Sequence, residues 1–97
     1  MLEVFNLEGK IALVTGGGSG LGRSMSLALS NAGAEVIVAG RRTDKLENVI
    51  KEIKDKGGDS FWIVLDIQDE NSINSSLKKI ETMGKKIDIL VKLLRSL

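Results

Sequence analysis

Five glycines fall within seven positions, Gly16, Gly17, Gly18, Gly20 and Gly22. No other feature restricts the chain as tightly. Before them runs Lys10 to Thr15 (KIALVT), apolar without alternation, which predicts a short strand buried on both faces. After them Arg23 to Asn31 is helix-like, with apolar faces offered by Met25, Leu27, Ala28 and Leu29. Gly33 stands where a helix ends. A strand that enters a helix through glycines is chemically specific. The helix start presents unpaired N–H groups and the positive end of a dipole, and glycines let the backbone turn sharply and come close to an anion.

The rest of the chain repeats the alternation. Glu35 to Ala39 (EVIVA) predicts a second strand. Thr43 is the expected N-cap of a second helix, with Asp44 in its first turn. Leu46, Val49, Ile50 and Ile53 form that helix's apolar stripe, Glu47 and Lys51 an i,i+4 pair, and Gly57-Gly58 its end. Phe61 to Leu65 (FWIVL) predicts a third buried strand, followed by Asp66. Asp69 is the expected cap of a third helix carrying Ile73, Leu77, Ile80 and Met83 on one side and closed by Gly84. Ile87 to Val91 (IDILV) predicts a fourth strand. The order β-α-β-α-β-α-β implies a parallel sheet with helical crossovers, an α/β fold. No repeat, linker or low-complexity stretch interrupts it, and 97 residues suffice for one small domain.

Composition removes several functions. With 14 basic and 13 acidic residues the net charge is +1, which gives no electrostatic reason to expect nucleic acid or an anionic membrane as partner. Cysteine, histidine and tyrosine are absent, so there is no disulfide and no thiolate, the commonest general base and metal ligand is missing, and no metal residue is assigned. The longest apolar run, Phe61 to Leu65, is far too short to span a bilayer, and the start lacks a basic signal-peptide region. The expected location is the cytoplasm. Lys78, Lys79, Lys85 and Lys86 read as a solvated face, and Asp88 as structural.

The dinucleotide pattern G-x-G-x-x-G fits the loop in no register. The pattern present is T-G-x-x-x-G-x-G, from Thr15, Gly16, Gly20 and Gly22. With the lead-in Phe5, Leu7, Gly9 and Lys10, then Ala32-Gly33-Ala34, Asp66 and IDILV, the chain resembles the N-terminal half of the short-chain dehydrogenase/reductase family, in register from about Phe5 to Val91. The resemblance implies a Rossmann-type sheet, here reaching only its fourth strand. It implies an oxidoreductase that passes hydride between NADP(H) or NAD(H) and a small carbonyl or alcohol, homo-oligomeric in its full-length relatives. Gly16, Ser19, Gly20, Leu21 and Gly22 would hold the cofactor's phosphates, Asp66 would accept from the adenine amino group, and Ile67 would line the adenine pocket.

The end of the second strand reads the adenosine ribose in such folds, and an acid there favours NAD. Gly40 holds that place, twenty positions after Gly20, followed by Arg41 and Arg42. The missing acid, and an arginine placed as in NADP-preferring members, make NADP the expected cofactor over NAD. The family's next motif, Asn-Asn-Ala-Gly, is replaced by Lys92-Leu93-Leu94-Arg95-Ser96-Leu97. The reading therefore divides the chain into residues 1–91, the N-terminal part of a nucleotide-binding domain, and a divergent tail, 92–97. The family's catalytic Ser and Tyr-x-x-x-Lys have no counterpart here, so no catalytic residue is assigned and the chain is expected to be inactive alone. Two other readings stand beside this one. One is a stand-alone nucleotide-binding or interaction module that uses an open fourth strand. The other is a degenerate P-loop NTP-binding domain, with Gly17 and Gly22 spaced as in G-x-x-x-x-G-K-[ST] but Arg23 where lysine is required.

Overall fold

The computed structural model describes residues 6–16, 18 and 20–93. Phe5, Gly17, Ser19 and the tail from Leu94 onward lie outside them. Among the described residues, four strands and three helices alternate: β1 Ile11–Thr15, α1 Gly20–Asn31, β2 Glu35–Gly40, α2 Thr43–Asp55, β3 Ser60–Val64, α3 Glu70–Thr82 and β4 Ile89–Val91. The strands form one parallel sheet in the order β3-β2-β1-β4. The expected α/β alternation and parallel pairing are those observed.

The continuous apolar runs have a physical cause. Successive strand residues point to opposite faces, and both faces are covered. On one face Ala12, Val14, Val36 and Val38 pack with Leu46, Val49, Ile50 and Ile53 of α2, and Met25, Leu27 and Leu29 of α1 join them. On the other, Leu13, Ile37, Ala39 and Ile63 pack with Ile80 of α3. The sequence stripe on α2 is the buried stripe observed.

Several boundaries and contacts differ from expectation. β1 starts at Ile11, one residue after Lys10. α1 begins at Gly20, three residues before Arg23, and its buried positions are the small residues Gly22 and Ser26. Ser26 Oγ donates to the Gly22 carbonyl at 2.8 Å, so a polar side chain is accommodated at the contact. Thr43 is the first residue of α2 rather than its cap. The cap position falls on Arg42, whose guanidinium has no acceptor atom, and no side chain caps the helix there. Asp69 caps α3 as expected, accepting from Asn71 N at 3.0 Å and Ser72 N at 3.4 Å. On α3 the inward residues are Ile73, Ser76 and Ile80, while Leu77 is exposed, as is Met83, the C-cap residue beyond the helix. Ser76 turns inward because its hydroxyl donates to the Val64 carbonyl at 3.1 Å.

β3 spans Ser60–Val64 and is not buried throughout; Trp62 and Val64 are exposed because this strand forms a sheet edge. β4 is three residues long. Its expected start is displaced by Asp88, whose carboxylate accepts from Ile11 N at 2.9 Å while its own N–H donates to the Ile11 carbonyl at 2.8 Å. Asp88 is thus structural, as read. Lys85 is not part of a solvated face: its Nζ lies 2.6 Å from Glu35 Oε2 and 5.8 Å from the Phe61 ring centre. Among the described residues Glu47 and Lys51 form no ion pair; Glu52 pairs with Arg23 instead.

Candidate functional site

At the carboxyl end of β1 the sheet order changes direction, with β2 on one side and β4 on the other. Chains leaving such a point diverge and open a crevice between them, where ligands of open α/β sheets sit. A cleft of ≈ 760 Å³ lies there. Its floor is the glycine turn. Gly16 has φ +67° and Gly20 φ +56°, left-handed conformations that side chains disfavour. A Cβ on Gly18 would lie 3.0 Å from Lys45 Cβ, so glycine is what lets α2 close against the loop.

The structure gathers most of the expected residues on this one cleft. Gly16, Leu21, Gly22, Arg41, Arg42, Asp66 and Ile67 line it. Gly20 opens α1 beside the cleft without lining it, and Ser19 lies outside the described residues. Asp66 has structural duties as well. Its Oδ1 accepts from Gln68 N at 3.0 Å, its carbonyl accepts from Asp69 N at 3.0 Å, and its N–H donates to Ser72 Oγ at 3.0 Å. Ile67 packs partly against the α3-side core.

Lys45, Lys92 and Leu93 also line the cleft and were not singled out from sequence as site residues. Leu93 is placed by a hydroxyl. Thr15 Oγ1 donates to the Val91 carbonyl at 3.4 Å and accepts from Leu93 N at 3.0 Å, holding the exit of β4 beside Gly16. The one legible sign for Lys45 was its place in the first turn of α2, the helix end that disfavours a cation.

The electrostatics are one-sided. Arg41, Arg42, Lys45 and Lys92 face a single carboxylate, Asp66, around the cleft. Among the described residues none of those four cations is ion-paired. Arg23 is engaged elsewhere: its Nε and a terminal nitrogen donate to the two Glu52 oxygens at 2.9 and 2.6 Å. The bidentate hydrogen bond holds the Glu52 carboxyl below the usual range and pushes the Arg23 guanidinium up. Arg23, at the position of the P-loop lysine, turns to Glu52 and is not among the residues that line the cleft. A smaller cavity of ≈ 370 Å³ lies at the opposite ends of the strands, near Glu8, Ser30, Gly58 and Asp59.

The parallel β3-β2-β1-β4 sheet, with a left-handed glycine turn opening α1, defines a Rossmann-type fold. The chain belongs to the short-chain dehydrogenase family, whose model matches residues 10–93. It is 42% identical over 87 residues to a probable 2,4-dienoyl-CoA reductase from Caenorhabditis elegans, covering 88% of this chain and 28% of that protein. Among solved structures it resembles a hydroxysteroid dehydrogenase from Escherichia coli, at 35% identity and TM-score 0.83, covering 90% of this chain and 37% of that one. It also resembles a metagenomic short-chain oxidoreductase in complex with NADP, at 28% identity and TM-score 0.83, covering 87% and 38%. The chain therefore spans about a third of its relatives, not the half that the sequence suggested.

Proposed function

We propose that this chain is the adenosine-binding portion of an NADP(H)-dependent short-chain oxidoreductase, with residues 1–91 forming part of the nucleotide-binding domain and residues 92–97 a divergent tail. The observation that carries the reading is the rim of the cleft, where β2 ends in Gly40 and is followed by Arg41 and Arg42, with no acid at the strand end. An acid there would bond the ribose 2′-hydroxyl and repel a 2′-phosphate; an arginine fork bonds the phosphate.

The residues fit the group. Gly16, Leu21 and Gly22 line the part of the cleft suited to the 5′-phosphates, Gly20 and Ser19 belong to the same loop, and Asp66 and Ile67 line the part suited to adenine. Asp66 Oδ1 is committed to Gln68 N, which fixes the carboxylate in place. Bound NADP(H) supplies hydride exchange with a carbonyl or alcohol. This chain's residues bind and orient the adenosine end; none is assigned to proton or hydride transfer, and the chain has no tyrosine. Acting alone it is inactive. Among the described residues no helix is long and apolar enough to cross a membrane. The proposed setting is the cytoplasm, and the proposed assembly of the whole protein a homo-oligomer.

The test is a titration of the chain with 2′,5′-ADP and with 5′-AMP, which differ only in the 2′-phosphate. The expected result is tighter binding of 2′,5′-ADP, with the gap narrowed about tenfold in Arg41→Ala at low salt. Added salt narrows it further, because exposed charges are screened. Equal affinity for the two ligands overturns the assignment.

A further inference from the structure

We infer that Lys45 is a second cation for the ribose 2′-phosphate and a specificity-determining residue of this cleft; the inference rests on the NADP reading above. Its geometry is the argument. The first turn of α2 is wedged between two pieces of backbone. Lys45 Cβ lies 3.0 Å, and Leu46 Cδ2 3.5 Å, from where a Cβ on Gly18 would stand. The same Leu46 Cδ2 lies 3.4 Å from where a Cβ on Gly40 would stand. The glycine loop and the end of β2 are the two elements that flank the adenosine ribose in a fold of this kind. Leu46 fills the space between them, and Lys45 leaves the helix on the glycine-loop side, on the cleft that Arg41 and Arg42 also line.

Charge points the same way. Lys45 is half-buried, and among the described residues it is in no ion pair, whereas Arg23 and Lys85 each bond a carboxylate. Its place at the positive end of the α2 dipole works against the helix, so helix stability does not explain a lysine there. A phosphomonoester dianion reverses that balance. An arginine fork engages two phosphate oxygens in a plane, and an ammonium on a flexible stem reaches the third.

The experiment uses the full chain and the same two probes, 2′,5′-ADP and 5′-AMP, followed by amide chemical-shift titration. The variants are Lys45→Gln, which keeps much of the aliphatic stem against Gly18, and Lys45→Arg. Lys45→Gln is expected to weaken 2′,5′-ADP about five- to tenfold and to leave 5′-AMP within about twofold. Lys45→Arg restores most of the loss. The salt dependence of 2′,5′-ADP binding becomes shallower in Lys45→Gln, since one fewer cation meets the ligand. The melting temperature and amide spectrum of each variant establish that the fold is intact. If the parent chain prefers 2′,5′-ADP and Lys45→Gln keeps the whole preference, or weakens both ligands equally, the role of Lys45 is wrong and the NADP reading stands. If the folded parent chain shows no preference, or binds neither probe, both fall.

Discussion

A methyl group on Gly58 has no room. Built on the backbone, it would collide with Ser30 Oγ and lie 2.8 Å from Ile53 Cγ2 and 3.3 Å from the Ile53 carbonyl. The glycine lets the end of α2 pack against α1, a demand of space rather than of backbone angle. Gly58→Ala is expected to destabilise by about 1–3 kcal/mol, the usual cost of overpacking. At this length that lowers the melting temperature by several degrees. An unchanged melt by circular dichroism would mean that Ser30 and Ile53 give way freely. Residue by residue, legibility followed range. The Asp69 cap was readable because its partners, Asn71 and Ser72, lie two and three positions away. The contact of Lys45 with Gly18 was not, because it joins residues 27 positions apart through the packing of α2. That Arg41 and Arg42 line the cleft was readable because the end of the second strand opens onto it in this fold.

Between elements, α1 and α2 are tied at the surface by Arg23 and Glu52. The Glu52 carboxyl is held below its ordinary range first by the hydrogen bond from Arg23. A carboxylate whose folded pKa is lowered adds stability above its unfolded pKa and loses it as pH falls through the folded value. Glu52→Gln should therefore melt below the parent at pH 7 and match it in acid, below the depressed value. The difference at pH 7 should be small and should shrink in high salt, because both side chains are exposed. A gap that persists unchanged in acid would assign the loss to packing. The elements themselves were legible from apolar runs and glycines, and their edges less so. Sequence pattern does not say that β3 is an edge strand with Trp62 and Val64 uncovered. Nor does it say that Ser76, through the Val64 carbonyl, displaces Leu77 from the inner face of α3.

Across the whole molecule, β4 pairs with β1 alone among the described strands. Leu90 on it is 60% exposed, and Leu77 of α3 and Met83 just after that helix are exposed too. An apolar strand with one unpaired edge templates association. The chain is expected to form larger species as its concentration rises, and Leu90→Lys to return it toward monomer, both read by light scattering. A parent chain that stays monomeric at high concentration would show that this edge is silent. The two faces of the sheet are also unequally covered, with α1 and α2 on one and α3 alone on the other. Opening free energies are graded by such coverage, so deuterium uptake will be ordered in space. The amides of β1 and β2, interior to the sheet, will exchange last, and those of α3 and β4 first. A sheet clothed by two helices on one side and by one on the other is expected to open like a door hung on its α1–α2 side.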